Sequence, residues 1–416
     1  MHGDLPAVFG QRERNFTPQA FGGASDKNRA GRSGGGHSET IQTVMKTPYS
    51  LTSALGSHIA QAIAAQGGWI GFDAFMALAL YTPGLGYYAN DSPKFGSMPE
   101  AGSDFVTAPE MTPLFGQTLA AQVAQALQVT HTAQVWEFGA GSGALALQLL
   151  ETLAALGQPV QRYNIVDLSG SLRARQQHKL EKYADVVQWV SELPDTLQGV
   201  VIGNEVLDAM PVKLLARVAG VWYERGVAWG IAPADGSPLL VWQDRPTELR
   251  PPLAIDGDHD YLTEIHPQGE SFIRTLADKL TVGAVFLIDY GFPEHEYYHP
   301  QRHMGTVMCH RSHRADPDPL AEVGLKDITA HVNFTGIALA AQEAGLGVLG
   351  YCTQARFLIN CGLGPRLDAA PLAVRAQAQR LVMEHEMGEL FKVIGLYQGE
   401  PWAAIGFAQG DRTHTL

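Results

Sequence analysis

The hydrophobic pattern of the first ordered part of the chain is helical. Leu55, Ile59 and Ile63 recur at the spacing of one helix face, and a second apolar helical segment spans residues 72–81. A long polar, turn-rich stretch over residues 89–113 follows, which is typical of a lid or binding loop. We therefore expect a helical N-terminal region that carries a loop for a cofactor or a substrate.

From Ala133 onward, short apolar runs alternate with helical segments. The runs predict four successive strands, at residues 134–138, 163–166, 186–190 and 199–203. Strand–helix alternation indicates a parallel sheet with helices on both faces. The predicted fold class is therefore α/β, with a Rossmann-like, doubly wound sheet.

The alternation is interrupted by a segment of a different kind. Residues 214–242 have the period-two pattern of strands with turns and predict a β insertion, after which the sheet resumes at 284–288. Residues 391–397 and 402–408 predict a final antiparallel hairpin. The predicted organisation has five parts: a disordered extension (1–45), the N-terminal helical region with its cofactor or substrate loop (46–132), the first half of the Rossmann-like core (133–212), the β-rich insertion (213–266), and the second half of the core with loop and helical insertions (267–416).

The extension differs in composition from everything that follows it. It is rich in Gly, Ser, Asn and Arg and has no hydrophobic period, which predicts disorder. Its arginines are compatible with a targeting peptide, but its acidic residues argue against one because transit peptides avoid acids. We favour Met45 as the natural start of the protein.

The charge balance is acidic, with 29 Lys and Arg against 42 Asp and Glu and a net charge of −13. A protein that binds a nucleic-acid backbone needs clustered Lys and Arg, so we expect no nucleic-acid partner. Three cysteines are too few for a disulfide framework and indicate a reducing compartment. No apolar run approaches the ~18 residues of a membrane span. We expect a bacterial cytoplasmic protein, or a mitochondrial matrix protein if the source is eukaryotic.

Acidic residues follow the predicted strands at their carboxyl ends. They are Glu137, Asp167, Glu205, Asp208 and Asp289. Ligands of open α/β sheets bind at this edge, so the clustering indicates the functional site.

The first predicted strand leads into a glycine turn at residues 139–144. Its pattern, G-x-G-x-x-A, matches both a dinucleotide fingerprint and a methyl-donor one. Glu137 favours the methyl donor, because a carboxylate there would repel a pyrophosphate and attract the ammonium and sulfonium of S-adenosylmethionine (SAM). Asp167 suits the ribose hydroxyls of either cofactor.

The segment Asn204-Glu205-Val206-Leu207-Asp208 follows the fourth predicted strand. Two acids three residues apart would share one face of a helical turn, and paired carboxylates suit the planar, five-donor guanidinium of arginine. The alternative is capping of a helix N-terminus, where acids are also favoured. For Glu205 we favour the functional interpretation, and for Asp208 both stay open.

Histidines crowd the Pro-rich loop over residues 292–327. Zinc sites need three or four ligands at compact spacing, usually on regular elements, so we expect no metal here and favour a solvated, partner-facing or lid loop. His331, at the start of a later helix, is a candidate for the site or an ordinary core or capping histidine.

Several separated motifs resemble the MidA family of class I SAM-dependent methyltransferases, which includes the mitochondrial complex I assembly factor that methylates an arginine. The segment Asn204–Pro211 (NEVLDAMP), together with the loop Asp104–Glu110 (DFVTAPE), is specific to this family, whereas the glycine turn is generic. The other motifs are Tyr81–Tyr88, Glu137–Gly143, Asp289–Gly291, Gly305-Thr306, Asp327–Val332 and Met387–Val393. The resemblance covers nearly all of residues 50–408.

The resemblance implies a class I methyltransferase sheet and a set of site residues. The cofactor-binding residues would be Glu137, Gly139, Gly141, Gly143 and Asp167, with Thr107 and Pro109 from the loop. The residues of the methyl-transfer site would be Asn204, Glu205 and Asp208. Asp167 stands where the family usually has Glu, and His310 where it has Tyr.

The predicted function is therefore SAM-dependent methylation of a protein arginine, with a respiratory complex I subunit as a candidate substrate. Two other functions stay open at this point. One is an NAD-dependent oxidoreductase, and the other is a non-catalytic assembly or binding protein that retains a cofactor pocket.

Overall fold

The computed structural model describes residues 48–90, 106–167, 170–231 and 238–416. The predicted disordered extension lies outside these residues, as do Asp104 and Phe105 of the DFVTAPE loop. The helices in the described part are α1 (Pro48–Ala65), α2 (Phe72–Tyr81), α3 (Ala108–Met111), α4 (Leu114–Val129), α5 (Ala144–Ala155), α6 (Gly170–Lys179), α7 (Pro267–Lys279), α8 (Glu294–Tyr297), α9 (Phe334–Glu343), α10 (Gln354–Asn360), α11 (Leu363–Ala369), α12 (Leu372–Gln379) and α13 (Met387–Leu390).

The strands complete the element list. They are β1 (Trp69–Gly71), β2 (Gln134–Phe138), β3 (Arg162–Val166), β4 (Val187–Val190), β5 (Leu197–Asn204), β6 (Lys213–Val218), β7 (Val221–Ile231), β8 (Pro238–Pro246), β9 (Tyr261–Ile265), β10 (Leu280–Phe292), β11 (Met308–Arg311), β12 (Arg314–Asp316), β13 (Asp327–Thr329), β14 (Val332–Asn333), β15 (Gly347–Thr353) and β16 (Phe391–Gln398). Short 3-10 turns lie at Glu181–Tyr183, Ile405–Phe407 and Thr413–Thr415.

The principal sheet confirms the predicted α/β class. Its strand order is β15-β16-β10-β5-β2-β3-β4, and β10, β5, β2, β3 and β4 pair in parallel. Strand β16 runs antiparallel to both of its neighbours. The register sets Phe138 beside Val166 and Gly203, and Asn204 beside Ile288, so the carboxyl ends of β2, β3, β5 and β10 meet at one edge.

The central strands are apolar on consecutive residues because both faces of the sheet are covered. Ile202 and Phe286 pack against α4 and α5 on one face, whereas Val201 and Leu287 pack against α7 and α9 on the other. These side chains are fully buried, and burying each contributes roughly 1.5–3 kcal/mol. This core holds the strand ends, and therefore the acids that follow them, in fixed positions.

A second sheet contains the predicted β insertion. Strands β6, β7, β8 and β9 pair antiparallel, and β1 adds to β7 with Ile70 opposite Val227. The N-terminal region is therefore not only helical, since it supplies one strand to this sheet. Phe72 and Phe75 of α2 share a core with Leu214 and Val227, so the helical region packs directly on the insertion.

The predicted final hairpin is wrong in its pairing. Residues 391–398 do form a strand, β16, but it lies between β10 and β15 and is buried along most of its length. Residues 402–408 contain the short turn Ile405–Phe407, and the Gly406 N–H donates to Gln122 Oε1 of α4 at 2.8 Å. Their apolar side chains cover the sheet edge as a packed loop instead of forming a strand.

The predicted loop at 292–327 is partly regular. It contains α8, and its strands β11 and β12 form a three-stranded sheet with β13. In the described residues, no helix is long and apolar enough to cross a membrane.

Candidate active site

A cavity of about 1430 Å³ lies at the edge where the parallel strands end. All the predicted site residues except Gly143 line it, namely Thr107, Pro109, Glu137, Gly139, Gly141, Asp167, Asn204, Glu205 and Asp208. The fold thus brings together residues that lie a hundred positions apart in the sequence.

The glycine turn needs glycine for two different reasons. Gly139 has a φ of +64°, and a Cβ there would lie 3.1 Å from Val206 Cγ2. A side chain would therefore be strained and would crowd the segment that carries Glu205. Gly143 has a φ of +81° and faces away from the cavity, where a Cβ would lie 3.5 Å from Gln176 Cα. That distance is an ordinary contact, so Gly143 is favoured by its left-handed backbone at the start of α5 and not by a lack of space.

Glu137 is the carboxyl group nearest the glycine turn along β2. It is buried, and its Oε2 accepts a hydrogen bond from Tyr163 Oη at 2.6 Å. Burial raises the pKa of Glu137 to about 7, although the Tyr163 hydrogen bond opposes the shift. A cation placed beside this carboxyl would favour its ionised form.

Asp167 follows β3 and is held from α6. Its Oδ2 accepts from Gln176 Nε2 at 2.9 Å, and the same amide donates to the Gly141 carbonyl at 2.9 Å. The carboxylate and the glycine turn are therefore joined through one side chain.

The loop that contains Thr107 and Pro109 is tied to the glycine turn. The Pro109 carbonyl accepts from Gln148 Nε2 of α5 at 2.8 Å. Ser142 donates to Glu110, and Lys179 donates to Ser142 Oγ at 2.8 Å. These contacts place the loop over the cavity.

Glu205 occupies an unusual backbone conformation, with a φ of +55°. Its N–H donates to the Ile288 carbonyl at 2.9 Å, and its Oε1 accepts from Asn204 Nδ2 at 3.0 Å. Burial, followed by the nearby Asp208 carboxylate, raises the pKa of Glu205 to about 8. A non-glycine residue held in this region is strained by about 1–3 kcal/mol, and such strain is concentrated at functional sites.

Asp208 is the second acid of this segment and, unlike the half-buried Glu205, it is buried. Its Oδ2 accepts from Tyr290 Oη at 2.6 Å, whereas its Oδ1 has no hydrogen-bond partner among the described residues. Burial raises the pKa of Asp208 to about 6. No helix begins after β5, because residues 205–210 form turns, so helix capping explains neither acid.

Asp289 has a role that the sequence did not reveal. Its Oδ2 accepts from three successive backbone N–H groups, those of Val206, Leu207 and Asp208, at 3.1, 2.9 and 3.2 Å. The sequence pattern marked Asp289 only as an acid at a strand end. The structure makes it the residue that shapes the turn carrying Glu205 and Asp208.

Aromatic groups complete the wall beside Asp208. Tyr81 Oη donates to the Ala209 carbonyl at 2.8 Å, and Tyr88 Oη donates to Asp327 Oδ2 at 3.0 Å. His331 lines the cavity with its ring 5.3 Å from that of Tyr290. Burial lowers the pKa of His331 to about 4, so the ring is neutral near pH 7.

The histidines of the Pro-rich loop do not converge. Of that group, only His310 lines the cavity. Among the residues that the structure describes, no group of three or more His, Cys, Asp or Glu side chains is placed to hold a metal ion.

The fold and this site define a SAM-dependent methyltransferase. A family profile whose description is "Putative S-adenosyl-L-methionine-dependent methyltransferase" matches residues 118–352, and the chain belongs to this family. The predicted MidA-like resemblance is thereby confirmed, and the cofactor is SAM. The oxidoreductase alternative is not supported.

Proteins similar to this chain are found at two levels of sequence identity. A crystal structure of a Burkholderia thailandensis protein bound to S-adenosyl-homocysteine is 48% identical, covers 89% of this chain and 98% of its own, and has a TM-score of 0.84. The mitochondrial protein arginine methyltransferase NDUFAF7 of Danio rerio is 26% identical over 82% of this chain and 86% of its own. The human protein of the same name is 26% identical over 77% of this chain and 78% of its own.

Proposed function

We propose that this chain is a protein-arginine N-methyltransferase of the bacterial cytoplasm. The observation that carries the proposal is a pair of acids, the half-buried Glu205 and the buried Asp208, which line the same cavity as the glycine turn. The names of the more distant relatives, which are protein arginine methyltransferases, support it. The same resemblance makes a respiratory complex I subunit a candidate substrate.

The residues at the strand ends fit SAM. Gly139 and Gly141 would present backbone to the cofactor, with Thr107 and Pro109 covering it. Glu137 would face its cationic groups, and Asp167 its ribose hydroxyls. Gly143 would act from outside the cavity, by adopting the left-handed backbone conformation from which α5 begins. When bound, SAM supplies a methyl group on a positively charged sulfur.

Asn204, Glu205 and Asp208 would hold the substrate guanidinium. Its five N–H donors match two acceptors that have no partner among the described residues, Asp208 Oδ1 and Asn204 Oδ1, together with the Glu205 carboxylate. Two carboxylates that bind the guanidinium on one side also fix the direction of the nitrogen that is methylated. Such positioning supplies most of the rate in reactions of this kind.

One of the same acids would also accept the proton that methylation releases. Methylation of a protonated guanidinium nitrogen leaves one surplus proton, because the product is again a monocation. The pKa of Glu205 is about 8 in the free protein, and the bound guanidinium would favour its ionised form, which could then accept that proton. Asp208, hydrogen-bonded to Tyr290, would remain ionised at neutral pH and keep hold of the product.

The test is methylation of proteins from a strain that lacks this gene. Extract from the deletion strain is incubated with the purified enzyme and methyl-labelled SAM, and methylarginine is mapped by mass spectrometry. We expect labelled arginine with the wild-type enzyme and with Glu270→Gln, a control at a half-buried position of α7 outside the cavity wall, and none with Glu205→Gln or Asp208→Asn. Label on another residue type would replace arginine as the substrate.

The hypothesis that the chain is a non-catalytic binding protein predicts the opposite result. In that case Glu205→Gln would bind SAM and restore the growth of the deletion strain as fully as the wild type. Loss of both methylarginine and complementation in Glu205→Gln would exclude the binding-protein alternative.

A further inference from the structure

One buried amide joins two parts of the cofactor wall. Gln176 of α6 is fully buried, and its Nε2 lies 2.9 Å from both the Gly141 carbonyl and Asp167 Oδ2. One NH₂ group carries two hydrogens, so it can donate to both acceptors at once. Gln176 therefore sets the separation between the glycine turn and the carboxylate at the end of β3.

A tryptophan fixes the orientation of this amide. Trp189 Nε1, on β4, donates to Gln176 Oε1 at 2.8 Å. The indole N–H is only a donor, so it requires the amide oxygen on its own side. The NH₂ group must then face Gly141 and Asp167, both of which are acceptors. A single orientation of the Gln176 amide therefore satisfies all three hydrogen bonds.

The backbone of α6 is also held against the turn. A Cβ at Gly143 would be in ordinary contact with Gln176, 3.5 Å from its Cα and Cγ, and it is the φ of +81° that favours glycine at this position. One turn along the helix, Lys179 donates to Ser142 Oγ at 2.8 Å. Gln176 is therefore placed rigidly, as a positioning residue must be.

We propose that Gln176, oriented by Trp189, is a positioning residue that aims the Asp167 carboxylate at the ribose of SAM. This inference rests on the cofactor placement proposed above, in which Asp167 binds the ribose hydroxyls. The hydrogen bond donated to Oδ2 fixes the plane of the Asp167 carboxylate, and with it the direction from which this carboxylate meets the sugar.

The experiment compares two ligands, S-adenosylhomocysteine and its 2′,3′-dideoxy analogue, by calorimetry. The ratio of their affinities measures what the ribose hydroxyls contribute. A variant that merely loosens the pocket weakens both ligands and leaves the ratio unchanged. The variants are Gln176→Leu, Trp189→Phe and Asp167→Asn, with Gln122→Leu as the control. Gln122 is equally buried, and its amide bonds the Gly406 backbone away from the cavity.

We expect Gln176→Leu to lower the ratio at least about fivefold and Trp189→Phe about twofold to threefold, since hydrogen bonds to charged groups are the stronger ones. Asp167→Asn should lower it as far as Gln176→Leu, and the double variant no further. Gln122→Leu should leave it unchanged.

Three results would overturn the proposal. They are an unchanged ratio in a folded Gln176→Leu, an unchanged ratio in Asp167→Asn, and additive losses in the double variant. If Gln176→Leu does not fold, Trp189→Phe decides, because it keeps the amide and removes only its orienting donor. No protein substrate is present, so a failure of the arginine proposal would not affect the outcome.

Discussion

Tyr290 Oη donates a 2.6 Å hydrogen bond to Asp208 Oδ2 across the end of the sheet. Tyr290 lies on β10, and Asp208 follows the neighbouring strand β5. The bond stabilises the carboxylate form of Asp208, whose pKa burial raises to about 6. It therefore keeps one acid of the methyl-transfer site ionised at neutral pH.

Tyr290→Phe should weaken catalysis without weakening cofactor binding. Loss of the hydrogen bond should raise the pKa of Asp208 by about one unit. If the ionised form is needed, kcat rises with pH through about 6 in the wild type, and in the variant the same rise occurs at higher pH. We expect kcat to fall about twofold at pH 7 and nearly tenfold at about pH 5, where both forms of the enzyme are on the acidic limb. The measurement is the pH profile of kcat, with SAM affinity followed by calorimetry.

The matched control is Tyr223→Phe, on β7 of the insertion and outside the cavity wall. It removes the same hydroxyl group from a half-buried tyrosine. Equal losses in both variants, or an acidic limb of the Tyr290→Phe profile that does not move, would show that Tyr290 does not act through Asp208.

SAM binding should depend on pH through Glu137. Its pKa in the free protein is about 7, and a bound cation lowers it, so binding below that pH releases a proton. Affinity should therefore rise with pH by up to about tenfold per unit below pH 7 and level off above it. Calorimetry in two buffers of different ionisation enthalpy measures the released proton directly.

Glu137→Gln should bind SAM more weakly and lose most of this pH dependence. Glu151→Gln, on the exposed side of α5, is the control and should retain it. A pH dependence that survives in Glu137→Gln would assign the proton to another group, such as Glu205.

The sequence pattern was sufficient for the central strands and insufficient for the last one. Strands β2, β3, β5 and β10 are buried on both faces and appear as short apolar runs. Strand β16 has the same appearance, but its partners are β10 and β15, over thirty residues or more away. A local pattern contains no information about the partner, and the nearest apolar run therefore suggested a hairpin.

Much the same limit applies to the site. Acids at strand ends could be located because parallel strands place their carboxyl ends together. The three backbone hydrogen bonds to Asp289, and the contact of Gly143 with Gln176, depend on how α6 and β10 pack. Contacts of this kind produce no periodic pattern of residues from which they could be predicted.

Gly139→Ala should abolish cofactor binding by a local effect. The new methyl group would be strained by the φ of +64° and would lie 3.1 Å from Val206 Cγ2. Gly157→Ala is a matched control, because its φ is +72° and the space around it is open. Both variants should lose about 1–2 kcal/mol of stability, measured by urea unfolding. Only Gly139→Ala should lose SAM affinity, and an equal loss in Gly157→Ala would attribute it to instability.

Glu205→Gly should stabilise the protein and inactivate it. Glycine relieves the backbone strain of the φ of +55° and removes a half-buried carboxyl whose pKa is about 8, so we expect a gain of about 1 kcal/mol. Ala219→Gly relieves a similar φ of +48° in the exposed turn between β6 and β7 and should leave activity intact. Urea unfolding and methyl transfer measure the two effects. Retained activity in Glu205→Gly would mean that the strained acid serves only the fold.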